Sequence, residues 1–391
     1  MSNAAGLRSG CLSRKKIATQ TGSNARRVVP VRCRGTDGGD PLLLRVARGE
    51  LAERTPVWLM RQAGRYMAAF REYSDKYPFR QRSETPDIAI ELSLQPWRAF
   101  KTDGVIMFSD ILTPLPALGI EFDVIKGKGP LIESPIRGMD QVKALKAMDD
   151  PDETLSFVGE TLQTLRSEID GDTTLLGFIG TPWTLAAYAI EGKADRHCKQ
   201  TKRMMYNAPE ILHSLLAHLS DALGEYVCYQ IESGAQVVQL FDSWAHHLSP
   251  EQFSEFSLPY AERVISYVRQ RHPHVPLIFH GNGSTGKHEV LRQCSAEVIG
   301  LDWACRMKDA RSAFGNDRTL QGNVDPMILF GKEESIREAV QRCLLEGGPQ
   351  RHILNVGHGV VEGTPEESVA LFCDLARESV ALHSDKSPVG V

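Results

Sequence analysis

Short apolar runs recur along the chain from residue 57 onward, at 57–60, 104–109, 174–179, 236–241, 276–280, 297–301, 318–321 and 352–356. They are solidly apolar and do not strictly alternate, which is what parallel strands need when both faces are covered. Between them lie stretches with apolar residues at helical spacing, at 86–100, 202–219, 250–270, 332–345 and 365–382. Three of these open on Thr85-Pro86, Ser249-Pro250 and Thr364-Pro365, and proline at a first turn gives up no hydrogen bond. Eight strand–helix units predict one α/β domain folded as a (β/α)8 barrel. A doubly wound sheet is the alternative. Residues 119–134, centred on Gly127-Lys128-Gly129-Pro130, predict a hairpin inserted after the second strand.

In a (β/α)8 barrel the carboxyl ends of all strands face one mouth, where the chemistry sits. Here those ends carry Arg61, Asp110, Gly180-Thr181-Pro182-Trp183, Asp242-Ser243, His280, Asp302, Asn323 and Gly357-His358. A polar or glycine-rich end on every strand predicts a built site. Residues 57–66 read Val-Trp-Leu-Met-Arg-Gln-Ala-Gly-Arg-Tyr. If the chain turns helical after Met60, Arg61 and Arg65 share a face and can grip a polyanion. Gly64 between them lets a ligand approach the backbone. A surface ion pair is the plainer reading of the same residues. Asp110 lies within Phe108-Ser109-Asp110-Ile111-Leu112, and such an isolated carboxylate is costly unless donors converge on it or its pKa rises. Its plainer use is a helix cap. Tyr188 follows the Gly-Thr-Pro turn on a predicted helix, where a core tyrosine with a satisfied hydroxyl is equally compatible.

Two motifs point elsewhere. Gly281-Asn-Gly-Ser-Thr-Gly286 matches G-x-G-x-x-G, with Asp302 downstream, and makes a nicotinamide-dependent enzyme a rival. It falls after at least four strands, however, and does not open a first βαβ unit. His272-Pro-His274 resembles a metal pair but precedes a strand and lacks a carboxylate set. His246-His247 reads as surface or pocket wall. No metal site is expected.

Hydrophobic residues make up 42% of the 391 and charged residues 24%, an ordinary balance for a soluble globular protein. No apolar run is long enough to span a bilayer, so membrane insertion is not expected. The cysteines at 11, 33, 198, 228, 294, 305, 343 and 373 form no Cys-x-x-Cys pair, which argues for reduced thiols and against a disulfide framework or cysteine zinc site. Residues 1–36 hold eight of the 45 basic residues and no acidic one. That Arg- and Ser-rich start predicts an organelle transit peptide ahead of a barrel domain at 37–391. A basic tail for anionic surfaces is the alternative. Without it the body carries 37 basic against 49 acidic residues, a net charge of −12. Nucleic acid is then an improbable partner, and an anionic small ligand requires a local basic cluster.

Residues 56–65, Pro-Val-Trp-Leu-Met-Arg-Gln-Ala-Gly-Arg, and Gly177-Phe-Ile-Gly-Thr-Pro-Trp-Thr-Leu185 closely resemble the two signatures of the uroporphyrinogen decarboxylase family. Residues 108–112, Leu240-Phe-Asp-Ser243, Gly300-Leu-Asp-Trp303, Leu320-Gln-Gly-Asn323 and Asn355-Val-Gly-His-Gly359 are similar to that family's stretches, in its order. The resemblance implies a cofactor-free (β/α)8 enzyme, a homodimer, that converts the four acetate side chains of uroporphyrinogen to methyls and yields coproporphyrinogen. It implies substrate binding by Arg61, Gln62, Ala63, Gly64, Arg65, Tyr188, Ser243 and His358. It also implies that Asp110 accepts from the pyrrole N–H groups, and that catalysis involves Asp110, Arg61 and Tyr188. Departures from the family pattern are Ala68-Ala69 for Pro-Glu, Ser74 for an arginine of some members, and His246 for the glycine usual after Ser-x-Ala. Decarboxylation needs an electron sink, which the protonated pyrrole itself would supply while Asp110 stabilises the cation. Arg61 is a very weak acid, so Tyr188, a substrate carboxylic acid and bound water stay open as proton donors. Within the same superfamily a zinc- and corrinoid-linked methyltransferase is the alternative. Such members resemble a His-x-Cys pattern where this chain has His280-Gly281-Asn282. A non-catalytic tetrapyrrole carrier would keep the arginines without requiring Asp110. Tetrapyrrole synthesis for chlorophyll makes the plastid the expected compartment.

Overall fold

The computed structural model describes residues 39–379 apart from 126 and 128, so the basic leader at 1–36 lies outside the described residues. The strands in chain order are β1 (Gly104–Ile106), β2 (Asp123–Ile125), β3 (Gly129–Leu131), β4 (Thr174–Gly180), β5 (Val237–Asp242), β6 (Leu277–Gly281), β7 (Val298–Gly300), β8 (Thr319–Gln321) and β9 (His352–Ile353). Seven of them form one parallel sheet in the order β1-β4-β5-β6-β7-β8-β9, while β2 and β3 make the expected antiparallel hairpin.

Segment 57–60 supplies the missing stave. Val57 bridges Leu354 in parallel, with Trp58 N–H donating to Leu354 O at 3.3 Å and Leu354 N–H to Pro56 O at 2.8 Å. On its other side Asp103 N–H donates to the Val57 carbonyl at 2.7 Å, and Val57 N–H donates to the Asp103 carboxylate at 2.8 Å. The sheet therefore closes between β9 and β1, which excludes the doubly wound alternative and gives a (β/α)8 barrel. On the β1 side a side-chain carboxylate takes the place of one backbone partner. Arg54 holds that carboxylate with two bonds, at 2.6 and 2.8 Å.

Register sorts the strands' side chains into two cores. Leu176 pairs with Val237, Ile278 with Val298, and Gln321 with Ile353. With Trp58 and Met60 these fill the lumen, and the short helix Leu42–Ala47 packs against them. That helix sits at the amino-terminal end of the strands, where Leu44 N–H donates to Thr174 Oγ1 and Thr319 Oγ1 donates to the Val46 carbonyl, both at 3.2 Å. The alternate residues, among them Val57, Leu59, Leu175, Val238, Phe279 and Leu354, belong to the larger core between sheet and helices. Burial on both faces accounts for the solid apolar runs.

The helical stretch 86–100 is realised as Pro86–Phe100. The stretch 202–219 is instead two helices, Lys199–Asn207 and Pro209–Glu232. They break at Ala208 (φ −152°, ψ 56°), because a residue before proline is pushed out of the helical region. Stretch 250–270 likewise splits into Pro250–Phe256 and Leu258–Arg271 around Ser257. Stretch 332–345 is Glu333–Gly347, and the last helix runs Glu366–Arg377. Among the described residues no helix is long and apolar enough to cross a membrane. The six described cysteines are free and buried.

A polar chain crosses the apolar lumen. Trp58 Nε1 donates to Gln321 Oε1 at 2.9 Å, Gln321 Nε2 donates to Gln239 Oε1 at 2.9 Å, and Gln239 Nε2 reaches Met60 Sδ at 3.5 Å. Gln321→Leu would leave an indole N–H and an amide oxygen buried without partners. We expect it to lower unfolding free energy by about 3 kcal/mol, read from the urea midpoint of tryptophan fluorescence.

Candidate active site

The mouth is built first by the turn that follows Met60. Arg61 sits at φ +58°, a left-handed conformation uncommon for a residue with a Cβ. Gln62 is fully buried: its Nε2 donates to Gly104 O at 2.9 Å and its Oε1 accepts from Leu59 N–H at 3.2 Å. Its carbonyl accepts the Tyr66 hydroxyl at 2.7 Å, and its own N–H donates to Leu59 O at 2.9 Å. These bonds give the Gln62 side chain a scaffold role in the turn. Its polar groups are committed inside the protein, and that anchoring holds Arg61 in its unusual conformation. The turn also replaces the expected helical continuation, for the helix begins only at Ala68 (Ala68–Ser74). Arg61 and Arg65 are both exposed, but they are not equivalent. Arg65 pairs with Glu362 at 2.9 Å, both side chains more than half exposed. Arg61 makes no ion pair among the described residues and lies over Gly359, where an added Cβ would stand 2.2 Å from its Cδ. Ala63 and Gly64 line the turn half-buried, and a Cβ at Gly64 would press to 3.2 Å on the Arg61 carbonyl.

Asp110 lies recessed at the mouth on the segment leaving β1, still half-exposed. Its Oδ1 accepts from Leu112 N–H at 2.8 Å and its own N–H donates to Thr113 Oγ1 at 3.3 Å. Oδ2 makes no bond among the described residues. Burial pushes this carboxyl above the usual carboxylate range, against the opposing pull of the Leu112 N–H and of Arg61. Tyr188 comes from the helix Pro182–Glu191, which Thr181 caps by accepting from Thr184 N–H at 3.3 Å. Its ring packs 4.6 Å from that of Trp244. Burial raises the Tyr188 hydroxyl, and the nearby Asp110 charge adds to the rise while Arg61 opposes it. The structure thus brings Arg61, Asp110 and Tyr188 into one electrostatic neighbourhood. His358 joins them: its imidazole is pushed down by burial and then by Arg61 and His246.

Other polar strand ends turn out to brace the mouth. Asp242, fully buried, accepts from Thr181 Oγ1 at 2.9 Å, Thr184 Oγ1 at 2.8 Å and Ser257 Oγ at 2.5 Å. Those bonds tie the Thr-Pro-Trp-Thr turn to Ser257, the residue between the two helices. Trp183 adds a bond from Nε1 to the Trp244 carbonyl at 3.1 Å. Ser243 keeps a hydroxyl with no bond among the described residues, while its carbonyl accepts from Asn282 Nδ2 at 3.1 Å. The 281–286 loop is closed on protein groups. Asp302 accepts from Ser284 N–H at 2.7 Å and Thr285 Oγ1 at 3.0 Å, and Asn282 N–H donates to the Asp242 carbonyl at 3.0 Å. Its donors are therefore spent internally and do not form the open phosphate cradle of a dinucleotide site. Asn323 Nδ2 donates to the carbonyls of Asp302 and Cys305, both at 2.8 Å. His280 lies 3% exposed on the lumen side, its Nδ1 unpartnered and its pKa lowered to about 4 by burial and then by His358. Phe178 and Phe241, ring centroids 5.7 Å apart, share that level of the lumen. Sequence reasoning missed the parts played by Trp244 and Gly359. For Gly359 a signal existed in the Gly-His-Gly spacing, whereas nothing local marks Trp244. Among the described residues no group of three or more histidine, cysteine, aspartate or glutamate side chains is placed to hold a metal ion. His272 is instead bonded to Glu232 at 3.1 Å.

A barrel with a filled lumen, and at its carboxyl-terminal mouth a recessed carboxylate beside an arginine without a counter-ion among the described residues, has the architecture of a (β/α)8 enzyme. A family model described as uroporphyrinogen decarboxylase (URO-D) matches residues 39–379. Proteins named uroporphyrinogen decarboxylase from Crocosphaera subtropica and Synechocystis are each 52% identical, over 86% and 88% of this chain and 96% and 98% of their own. The chain belongs to the uroporphyrinogen decarboxylase family. Among solved structures, a methyltransferase from Methanosarcina mazei superposes with a TM-score of 0.73 over 86% of this chain and 97% of its own. At 19% identity that likeness shows the fold.

Gly359 offers a direct test of Arg61 placement. Gly359→Ala puts a methyl where the Arg61 stem lies, and we expect kcat/KM to fall roughly ten- to hundredfold. The far-UV circular dichroism should be unchanged, since position 359 needs no left-handed backbone.

Proposed function

We propose that the chain decarboxylates the four acetate side chains of uroporphyrinogen III, without cofactor or metal, and releases coproporphyrinogen III. Each step converts R–CH2–COO⁻ and one proton into R–CH3 and CO2. A proton first adds to a ring carbon, and the C–CO2 bond electrons then flow into the pyrrole cation as CO2 leaves. The exocyclic methylene takes a second proton while the ring returns the first. The observation that carries this reading is Asp110, with one oxygen tied to Leu112 N–H and the other left for pyrrole N–H donors. Its charge stabilises the cation that forms on ring protonation, the inverse of an oxyanion hole. Arg61, exposed at the mouth with no counter-ion among the described residues, takes a substrate carboxylate, and Arg65, Ser243 and His358 extend the binding surface. The Ala63–Gly64 backbone completes the wall beside Arg61. Tyr188 positions the macrocycle against Asp110. As Tyr188 and Arg61 are both poor acids, a substrate carboxylic acid or water is favoured as the proton carrier.

The methyltransferase alternative is not supported by the site: the fifth stave ends in His280-Gly281-Asn282, with no cysteine thiolate. A non-catalytic carrier would not need a carboxylate held half-satisfied. The decisive assay is CO2 release from uroporphyrinogen by protein dialysed against a chelator. Asp110→Asn keeps the shape and removes the charge, and we expect kcat to fall on the order of a hundred- to thousandfold. Near-wild-type turnover in a folded variant would refute the role. Because the Asp110 carboxyl is raised and its anion is the working form, wild-type kcat should decline on the acid side above the ordinary carboxylate range. Arg61→Lys and Arg65→Lys keep charge but lose the fork, and should raise KM as well as lower turnover.

We further propose a plastid precursor in which residues 1–36 are a transit peptide, supported by the leader's composition. Attached to a fluorescent protein, residues 1–40 should direct it to plastids, and a cytosolic signal would refute the assignment. A homodimer is favoured by exposed Trp303, Met327, Phe330 and Val361, which crowd the loops after three consecutive staves.

A further inference from the structure

His246 stands on the loop after β5, exposed at the same mouth. Its Nδ1 lies 3.2 Å from the Ser243 carbonyl and 3.3 Å from Asn282 Nδ2. Donation from Nδ1–H to that carbonyl fixes the ring, and the root of the side chain is wedged by Gly283, where an added Cβ would stand 2.4 Å from His246 Cβ. Its other nitrogen, Nε2, makes no bond among the described residues. The ring also lies 4.1 Å from that of His247.

The groups that act electrostatically on this ring directly are cations or imidazoles. Lys287, on the loop after β6, and His358, after β9, both interact electrostatically with it. His247 in turn interacts with Lys202, His197 and Asp195. The nearest buried carboxylates, Asp242 and Asp302, are occupied by the hydroxyl and N–H donors already described, and their fields act on Lys287. Burial lowers the His246 pKa, Lys287 lowers it further, and the bond to Ser243 only partly opposes them. A rigidly held imidazole therefore faces the mouth with no protein carboxylate to stabilise its charged form. What it lacks is what a polycarboxylate brings.

We propose that His246 is a specificity-determining contact for a rim carboxylate of the tetrapyrrole, one that takes up a proton as the substrate docks. This inference rests on the decarboxylase reading above. The ring meets the free enzyme's neighbours as a neutral imidazole and meets the bound carboxylate as an imidazolium, its Nε2–H donating to the carboxylate oxygen. A group whose pKa rises on binding strengthens affinity below its free-state pKa, and the gain is lost as pH rises through the bound-state value. Substrate affinity should accordingly be highest on the acid side.

The test is the pH profile of KM for wild type, H246Q and H246K, with proton uptake on binding coproporphyrinogen measured anaerobically by calorimetry in two buffers of different ionisation enthalpy. At pH 6 H246Q should show a KM about fivefold above wild type, and the two should converge by pH 8.5. H246K, charged throughout, should keep KM low across the range. Proton uptake at pH 7 should be smaller in H246Q than in wild type. A deficit in H246Q that is the same at every pH, or no deficit, would overturn the proposal, because a merely structural histidine gives one of those results. Absence of turnover in wild type would instead defeat the decarboxylase reading. The calorimetry needs no turnover and would then decide the histidine's role alone.

Discussion

Closure of the barrel depends on one carboxylate. Asp103 receives the N–H of Val57, offers its own N–H to the Val57 carbonyl, and is held by the Arg54 fork. Without that junction β1 and β9 would be open edges, and a parallel sheet with open edges would expose its lumen side chains to water. The same junction fixes where the chain emerges after Met60, and hence where Arg61 stands. Fold and site share this constraint, for the stave that closes the sheet also delivers the cation.

Two carboxylates at the mouth show how one chemical group serves opposite ends. Asp242 is surrounded by three hydroxyls and is structurally spent, knitting the turn after β4 to the helix at Ser257. Asp110 has one strong donor and an open oxygen. Burial raises both, but only the second has unused capacity to meet a developing cation. The acidic body sharpens the role of Arg61. Arg65 at the same turn is paired with Glu362, whereas Arg61 has no counter-ion among the described residues and stands beside Asp110 and Tyr188, where an anionic ligand can meet it.

The fold was largely legible, because buried parallel strands write themselves as apolar runs and proline marks helix starts. What escaped were features set by contacts distant in sequence. Pro209 and Pro259 break helices whose apolar periodicity runs on unbroken, while the Ser257 hydroxyl at the second break finds its partner in distant Asp242. Among site residues, Arg61, Asp110, Tyr188 and His358 could be named from strand ends and family stretches, and the structure brings them to one mouth. Gln62 looked equally eligible by position, and its side chain bonds inward to Gly104 O and Leu59 N–H, a placement that nothing in a pentapeptide signals. Gly359 owes its importance to the stem of Arg61, a partner almost 300 residues away.

The lumen beneath the mouth is filled by Trp58, Leu176, Val237, Ile278, Val298 and Ile353 and plugged by the helix Leu42–Ala47. The barrel is thus a cup with a solid base, and traffic in and out shares one doorway. On the proposed function, a macrocycle bearing four acetate side chains would meet a single recessed Asp110, which cannot travel round the ring. The ring would then have to be turned, lifting part-way off and reseating between rounds. Grip strong enough to hold a polyanion yet loose enough to let it revolve is then the working compromise of the site, and it favours a few separated cationic contacts over a continuous clamp.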